Sequence, residues 1–262
     1  MSGFDTGWLA LREPADKAAR NELLLAELAS YLEGLEAPTI MDIGCGTGST
    51  YRSLSGRFPV NAYWQLVDYD QLLLAEAERL IGSAAVSYHR KDLTDLSTLT
   101  LEGVSLMTAS AFFDLCSGAF CEDLAEYLST KRIGLYTALN YDGRISWSDP
   151  HELDLEIVGA FNRHQRGDKG FGVALGPQAA AHLEGAFTCL GYRTKTADST
   201  WHLDLSHAAL QEAFLRGMVS PVAEVSDLNQ DQLSTWFDFR LAKLHAGGRL
   251  DVGHIDLLAL PL

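Results

Sequence analysis

The sequence predicts an α/β fold in which helices cover both faces of a doubly wound, mostly parallel β-sheet. Two observations lead to this prediction. Helical and strand-like hydrophobic patterns alternate through the first half of the 262-residue chain, which is typical of parallel strands joined by helical crossovers. A turn with three glycines also follows the first strand directly, as it does where a strand leads into a ligand-binding helix. Seven strands are predicted in all.

The elements of the first half follow from hydrophobic spacing and from the positions of glycine and proline. A first helix is predicted over about 16–33, where Leu28 and Leu32 lie one helical turn apart. Pro38 ends that segment, and a short buried strand over 39–42 leads into the glycine turn. Four further strands are predicted at 63–68, 85–89, 104–109 and 132–139, with helices at about 71–81 and 120–128.

The second half departs from this rhythm. Residues 140–176 are polar and rich in glycine, and they are predicted to form a loop-rich insertion with only a short helical pattern at 153–161. The elements predicted after it are a helix at 177–190, a strand within 192–205, two helices at about 206–247 and a final strand at 254–260. No linker or repeat divides the chain, so we expect a single domain over 1–262.

The acidic composition argues against nucleic acid as a partner. The formal net charge is −15 and the isoelectric point is about 4.8, whereas binding to nucleic acid draws on clustered Lys and Arg. No apolar run reaches the length of a membrane span, and the N-terminus lacks a signal pattern. The four cysteines form no CxxC pair, so we expect reduced thiols, no metal site and a cytoplasmic protein.

The strongest local signal is the segment that follows the first predicted strand. Gly44, Gly46 and Gly48 allow the backbone to turn sharply at a strand end and to come close to a ligand. Their spacing differs from the GxGxxG pattern of dinucleotide-binding domains, because the third glycine comes one residue early. Asp42 stands two residues before the first glycine, and Cys45 lies within the turn. The segment therefore reads D-x-G-x-G-x-G.

This segment resembles, at every defined position, the first motif of the class I S-adenosylmethionine-dependent methyltransferases. The resemblance implies a Rossmann-like fold in which a strand near the C-terminus runs antiparallel beside the fifth strand. It also implies S-adenosylmethionine as the cofactor and S-adenosylhomocysteine as the product. Asp68 closes the second predicted strand, at the spacing where a carboxylate accepts hydrogen bonds from ribose hydroxyls.

The resemblance implies further cofactor contacts at the ends of neighbouring strands. Asp92 and Leu93 follow the third predicted strand, where the family uses an acid to meet the adenine amino group. Ser110 follows the fourth strand, where the family's backbone approaches the cofactor. Tyr69, next to the ribose acid, and Cys45, as a small apolar residue of the turn, complete this set. All of these places lie at the edge where open α/β sheets bind ligands.

The methionine carboxylate of the cofactor needs a cation or backbone donors. Arg12 and Arg20 flank the start of the first predicted helix, which can fold over the site as a lid. Arg20 is the better placed of the two on that helix, and a solvated arginine on the helix surface is the alternative. The expected cofactor-binding residues are Asp42, Gly44, Cys45, Gly46, Asp68, Tyr69, Asp92, Leu93, Ser110 and Arg20.

The acceptor side carries no motif of comparable strength. The NPPY motif with which some methyltransferases hold an exocyclic nucleic-acid amine is missing, and residues 139–143 read L-N-Y-D-G instead. In this fold the segment after the fifth strand faces the methyl group, so Asn140 and Tyr141 are expected to contact the substrate. Asp114, after the fourth strand, is a third expected contact. A plain turn after the fifth strand is the alternative interpretation.

Residues 162–172 hold the densest cluster of reactive side chains in the sequence. Arg166 and Lys169 supply donors with a fixed charge for an anionic substrate, and the neighbouring glycines can act as hinges. His164 is a candidate general base, because the pKa of imidazole lies near physiological pH. A surface loop with ordinary ion pairs is the alternative. We expect the insertion and the added helices at 206–247 to cover the substrate.

Methyl transfer to a small-molecule acceptor is the function that these observations indicate. Such an enzyme must mainly align the nucleophile and exclude water, so it does not require a catalytic triad. An anionic or polyol acceptor, methylated at oxygen or nitrogen, is favoured. Two alternatives stay open: an NAD-dependent oxidoreductase, which the glycine spacing disfavours, and a non-catalytic module that only binds the cofactor.

Overall fold

The computed structural model describes residues 5–262. Its helices are α1 (Thr6–Ala19), α2 (Glu22–Glu33), α3 (Ser49–Leu54), α4 (Gln71–Ile81), α5 (Gly118–Lys131), α6 (Asp154–Gln165), α7 (Ala179–Cys189), α8 (Ala208–Val225) and α9 (Gln230–His245). Its strands are β1 (Thr39–Ile43), β2 (Tyr63–Asp68), β3 (Val86–Arg90), β4 (Val104–Ser110), β5 (Gly134–Trp147), β6 (Tyr192–Asp198), β7 (Trp201–Leu203) and β8 (Leu250–Pro261).

All of these strands belong to one sheet, in the order β3-β2-β1-β4-β5-β8-β6. Neighbouring strands from β3 to β5 run parallel, and β8 runs antiparallel between β5 and β6. The short strand β7 also pairs with β8, where Trp201 lies opposite Val252. The predicted α/β sheet with an antiparallel strand near the C-terminus is therefore confirmed. The single strand predicted within 192–205 is divided into β6 and β7.

The order of the strands places a crevice at the carboxyl ends of β1 and β4. The chain leaves β1 towards β2 on one side and later returns to β4 on the other side. The connections that follow β1 and β4 therefore diverge. Open α/β sheets bind ligands in the crevice that such a divergence leaves.

Hydrophobic side chains pack on both faces of the sheet. Successive side chains of a strand point to opposite faces, and accordingly Ile40 and Met41 of β1 belong to separate core clusters. The cluster around Ile40 includes residues of α2, α4, α6, α8 and α9, and the cluster around Met41 includes residues of α5 and α7. Helices thus cover both faces, as predicted.

The first predicted helix is wrong in its bounds, because the chain breaks between α1 and α2. The prediction ran from 16 to 33 through Arg20 and Asn21, neither of which is helical. The Asn21 side chain accepts hydrogen bonds from the N–H groups two and three residues later and so caps α2. The N–H of Asn21 donates to the buried carboxylate of Asp256. The break leaves Arg20 buried in the protein.

Strand β5 is longer than predicted. It continues to Trp147, whereas the sequence placed a loop-rich insertion from residue 140. The pairing of β5 with β8 shifts register after Tyr141, and Gly143 has φ +89° within this irregularity. Glycine occurs both in β-bulges and in turns. The composition of this segment therefore did not show that the strand continues beyond residue 140. The region also contains α6, and only the segments on either side of that helix are irregular.

The C-terminal helices form a layer with α6. Arg240 of α9 is buried, pairs with Asp154 at the start of α6, and lies 4.2 Å from the ring centroid of Trp147. A buried ion pair of this kind fixes α9 against the end of β5, because separating the partners would leave a buried charge. No helix within residues 5–262 combines the length and apolar composition that crossing a bilayer requires.

Candidate active site

A cavity of about 680 Å³ opens at the carboxyl ends of β1 to β4, and we call it the strand-end cavity. Its volume is typical of small-molecule sites in proteins. Its walls come from residues that follow these strands, from residues of α1 and from residues 168–171. Seven of the residues expected to contact a cofactor line it: Gly44, Gly46, Asp68, Tyr69, Asp92, Leu93 and Ser110.

The glycine loop runs through left-handed backbone conformations. The φ angle is +58° at Gly44 and +81° at Gly48, a region that residues with a Cβ atom rarely adopt. A Cβ atom at Gly44 would lie 2.8 Å from Cδ2 of Phe112, and one at Gly48 would lie 2.5 Å from Cδ1 of Ile81. The path of the loop and its packing therefore both require glycine at these two positions.

Asp68 ties the glycine loop to the end of β2. Its Oδ2 accepts a hydrogen bond from the N–H of Gly46 at 2.8 Å, and its Oδ1 accepts one from the N–H of Asp70 at 3.0 Å. Burial raises the pKa of the Asp68 carboxyl, and the backbone donors of Asp70 and Gly46 offset only part of this effect. A carboxylate has further lone pairs beyond these two hydrogen bonds, so Asp68 can also accept from a hydroxyl of a ligand.

Asp92 lies at the edge of the cavity and is exposed, in contrast to the buried Asp68. Its Oδ1 accepts hydrogen bonds from the hydroxyl of Thr94 at 2.7 Å and from the N–H of the same residue at 3.0 Å. These hydrogen bonds lower the pKa of the exposed Asp92 carboxyl. Leu93, which follows it, is buried, whereas Tyr69 is exposed. Together these side chains give the cavity one acidic, solvent-facing end with an apolar wall beside it.

Asp42 and Cys45 lie behind the cavity wall, although both were expected to contact the cofactor. Asp42 is fully buried and accepts a hydrogen bond from the hydroxyl of Thr108 on β4 at 2.8 Å. Burial raises the pKa of Asp42 to about 7. Burial also raises the pKa of the Cys45 thiol, which makes it unreactive. Both side chains are buried, that of Asp42 on β1 and that of Cys45 within the glycine loop.

Arg20 is a buried cation beside the cavity. It is 3% exposed, and its Nη2 donates to Oγ of Ser110 at 2.7 Å. Burial disfavours the charged guanidinium, but the neighbouring Tyr136 and Asp256 outweigh this effect and raise its pKa. Nε and Nη1 have no hydrogen-bond partner among residues 5–262. Buried donors are normally satisfied, so these two nitrogens leave Arg20 able to bind an anionic group, although Ser110 and not Arg20 lines the cavity.

Helix α1 forms a wall of the cavity that the sequence prediction missed. Trp8, Leu9 and Arg12 line the cavity. Arg12 forms an ion pair with Asp16 at 2.8 Å, and Asp16 also accepts a hydrogen bond from Nε1 of Trp201 at 3.0 Å. These contacts dock α1 on β7. The signal in the sequence was an acidic N-cap at residue 5 followed by apolar residues at helical spacing, which indicates a helix that starts well before residue 16.

Three residues expected to contact the substrate do not line the cavity. Asn140 is buried within the sheet, where its Nδ2 donates to the carbonyl of Ile255 at 2.8 Å. The hydroxyl of Tyr141 donates to Oδ1 of Asn162 at 2.7 Å, and this side chain is buried as well. Oδ1 of Asp114 is buried without a partner among the described residues, and burial raises the pKa of this carboxyl to about 6. Asn140 and Tyr141 belong to the long strand β5, where their polar groups are hydrogen-bonded to other parts of the protein.

Two residues at the strand ends adopt left-handed backbone conformations without being glycine. Ala111, which lines the cavity after β4, has φ +49°, and Leu139 within β5 has φ +59°. The N–H of Leu139 donates to the carboxylate of Asp256 at 2.9 Å. Such conformations cost free energy and persist where the surroundings impose them, commonly at binding sites.

Residues 168–171 bring one of the three expected loop residues to the cavity. Lys169 lines the cavity, whereas His164 and Arg166 do not. The segment is fixed to the connection after β4 by a bridge between Cys116 and Phe171. The neighbours of Lys169, including Phe171, line the cavity too and were missed, because nothing in a polar, glycine-rich sequence shows which residues of a loop face inwards.

The sequence of this region matches a known family. Residues 40–130, which run from β1 through most of α5, match the family described as a methyltransferase domain. Residues 40–130 therefore belong to a class I S-adenosylmethionine-dependent methyltransferase domain. The predicted family and cofactor are thereby confirmed: S-adenosylmethionine is the methyl donor and S-adenosylhomocysteine the product. No curated protein sequence matches the chain significantly.

Two solved structures share the fold of this methyltransferase at low sequence identity. The YcgJ protein from Bacillus subtilis is 12% identical, with a TM-score of 0.54 over 92% of this chain and 99% of that one. A cyclopropane-fatty-acyl-phospholipid synthase-like protein from Lactobacillus casei is 13% identical, with a TM-score of 0.57 over 98% of this chain and 95% of that one. The similarity is one of fold, and it extends well beyond residues 40–130.

A buried histidine near the site makes the stability of this methyltransferase depend on pH. His254 packs between the rings of Tyr141 and Trp201, and burial, reinforced by Arg12, lowers its pKa to about 3. An unfolded chain takes up a proton at this imidazole as the pH falls below about 6.5, whereas the folded protein does not. The contribution of the neutral imidazole to stability is therefore complete above that pH and is lost as the pH falls.

We expect the free energy of unfolding to fall between pH 7.5 and pH 5 by about 2 kcal/mol more in the wild type than in His254→Leu. Urea denaturation at both pH values measures this difference. The control is His202→Leu, which removes an exposed histidine and should leave the pH dependence as it is in the wild type. Equal pH dependence in the wild type and His254→Leu would show that folding does not lower the pKa of His254.

Proposed function

We propose that this methyltransferase acts on an oxygen or nitrogen atom of a small molecule bound in the strand-end cavity. The observation that carries the proposal is that the lining of one cavity combines two sets of residues. The first set is polar and comes from the glycine loop and the ends of β2 and β3. The second set is largely apolar and comes from α1, the segment after β4 and residues 168–171. A donor and a small acceptor can thus share one enclosed space.

In this proposal the polar set binds the methyl donor. Arg20 and Ser110 would bind the methionine carboxylate, since Arg20 has unpartnered nitrogens beside Ser110. Asp68 would accept hydrogen bonds from the ribose hydroxyls, and Asp92 one from the adenine amino group. The backbone at Gly46, without a side chain, would allow the donor to approach the loop closely.

The apolar set would hold the acceptor and keep water out. Trp8, Leu9, Leu115 and Phe171 line the cavity and carry no group that competes as a nucleophile. S-adenosylmethionine supplies an electrophilic methyl group on a sulfonium sulfur. The residues of this wall therefore need mainly to align the accepting atom and to exclude solvent.

We also propose that the segments outside the family match cover the acceptor. Helix α6 packs against α8, and α8 packs against α9 and contacts α1, which lines the cavity. Residues 168–171 follow α6 directly and form part of the wall. A cover built from packed helices supports the exclusion of water that methyl transfer needs.

The proposal can be tested with purified protein in two steps. Isothermal titration should show binding of S-adenosylhomocysteine and none of NADH. Methyl transfer should then be followed as release of S-adenosylhomocysteine with a panel of small phenols, carboxylic acids and amines, and the products should be identified by mass spectrometry. Reactions without acceptor, and with duplex DNA or transfer RNA, are the controls and should stay at background. Turnover confined to carbon acceptors or to nucleic acid would contradict the proposal.

A further inference from the structure

Lys169 is a cation on the wall of the strand-end cavity without an acidic partner. Its only hydrogen-bond partner among residues 5–262 is His164, whose Nδ1 lies 3.2 Å from the Lys169 Nζ. The other cation that lines the cavity, Arg12, is already paired with Asp16. An ammonium group has three N–H donors, so Lys169 retains two beyond the hydrogen bond to His164. Burial lowers the pKa of Lys169, and Glu224 opposes this effect.

The contact between Lys169 and His164 is extended by Glu224. His164 lies in the last turn of α6, and its Nε2 is 3.2 Å from Oε2 of Glu224 in the last turn of α8. An ammonium group only donates, so Nδ1 of His164 must carry a lone pair. Nε2 then carries the proton and donates to Glu224. The three side chains form a chain of hydrogen bonds in which each partner fixes the orientation of the next.

We propose that Lys169 binds a carboxylate of the methyl acceptor, and that His164 and Glu224 are positioning residues that hold the lysine in place. This inference rests on the proposed function, since it assigns the acceptor to the same cavity. The apolar wall around Lys169 would select the part of the acceptor that is not the carboxylate. Trp8 and Phe171 would pack against the body of the acceptor, so the expected substrate class is a small carboxylic acid with an aromatic or aliphatic body.

The acidic neighbour of Lys169 does not neutralise it. Asp168 also lines the cavity, but its Oδ1 accepts a hydrogen bond from the N–H of Gly170 at 2.7 Å, which holds the carboxylate within its own loop. A ligand carboxylate is therefore the group that would satisfy the free donors of Lys169. The same contact would favour the charged form of the lysine against the effect of burial.

Matched pairs of probes test the contact with Lys169. Phenylacetate, indole-3-acetate and octanoate, each beside its uncharged amide, are titrated into protein saturated with S-adenosylhomocysteine. At least one carboxylate should bind about tenfold more tightly than its amide. Lys169→Met should abolish this preference, and Lys169→Arg should keep part of it. The control is Lys243→Met, which removes a lysine of α9 that is paired with Asp149. This variant should behave as the wild type.

A second measurement tests the two positioning residues. The imidazole nitrogen shifts of His164 should show an unprotonated Nδ1 at pH 7.5, and this signal should move in Lys169→Met and in Glu224→Gln. His164→Phe should reduce the preference for carboxylates about threefold without changing the affinity for S-adenosylhomocysteine. His202→Phe removes a histidine that is paired with Asp251 at a distance from the cavity, and should change neither.

The outcomes separate the two proposals. If S-adenosylhomocysteine binds but no carboxylate is preferred over its amide, the assignment of Lys169 is wrong and the proposed function stands. If the preference is present and His164→Phe leaves it intact, Lys169 is confirmed and the positioning role of His164 is wrong. If S-adenosylhomocysteine itself does not bind, both proposals are overturned.

Discussion

Replacing Asp256 with Ala is expected to lower the free energy of unfolding by about 3–5 kcal/mol. The carboxylate of Asp256 is fully buried on β8 and accepts hydrogen bonds from three groups. These are the hydroxyl of Tyr136 at 2.9 Å, the N–H of Leu139 at 2.9 Å and the N–H of Asn21 at 3.0 Å. The Ala variant leaves all three donors buried without an acceptor and removes a negative charge that acts on Arg20.

Urea denaturation followed by tryptophan fluorescence measures this loss. The matched control is Asp251→Ala on the same strand, where the carboxylate is 47% exposed and pairs with His202 at 2.8 Å. An exposed pair of this kind contributes at most about 1 kcal/mol. If both variants lost the same free energy of unfolding, the contacts of Asp256 with Asn21 and Leu139 would not contribute as described.

Replacing Asp68 with Ala is expected to weaken the binding of S-adenosylhomocysteine more than tenfold, which corresponds to at least about 1.4 kcal/mol. Two effects act together. The variant loses the acceptor for the N–H of Gly46, so the glycine loop is no longer held to the end of β2. It also loses the carboxylate that we propose for the ribose hydroxyls. Isothermal titration of the wild type and the variant measures the change.

Asp70→Ala is the control for this experiment. Asp70 caps α4 by accepting a hydrogen bond from the N–H of Leu72 at 2.8 Å. Its removal should cost about 1 kcal/mol of stability, with the affinity for S-adenosylhomocysteine close to that of the wild type. An Asp68→Ala protein that keeps wild-type affinity would show that the ligand lies elsewhere.

The part of the cavity that we propose for the cofactor could be predicted because its signals are local. The segment from Asp42 to Gly48 forms one turn, and its glycine spacing reports directly on the conformation of that turn. Asp68 ends β2 and Asp92 closely follows β3, and the hydrophobic patterns of both strands mark their limits. When the strands are parallel, these ends meet at one edge of the sheet. The sequence did not show which of the expected cofactor contacts reach the cavity. Gly44 and Asp68 line it, whereas Asp42 is buried behind its wall.

The remaining features of the site and of the residues that support it could not be predicted, because they depend on contacts between residues far apart in the chain. Asp256 joins Asn21 to Leu139 across intervals of 235 and 117 residues. His164 meets Glu224 across 60 residues. No spacing rule links such pairs before the helices are packed. The inward position of Arg20 likewise requires a break in a helix that local propensity alone would continue.

The tryptophan in α1 gives this protein an optical reporter of its own. Trp8 lines the cavity, whereas the other tryptophans of the chain do not. The ring centroids of Trp8 and Trp201 are 6.5 Å apart. Indole emission responds to the polarity and packing around the ring, so a ligand that displaces water beside Trp8 alters the spectrum without any label. Occupancy of the site can therefore be followed by fluorescence, and a Trp8→Phe protein supplies the blank.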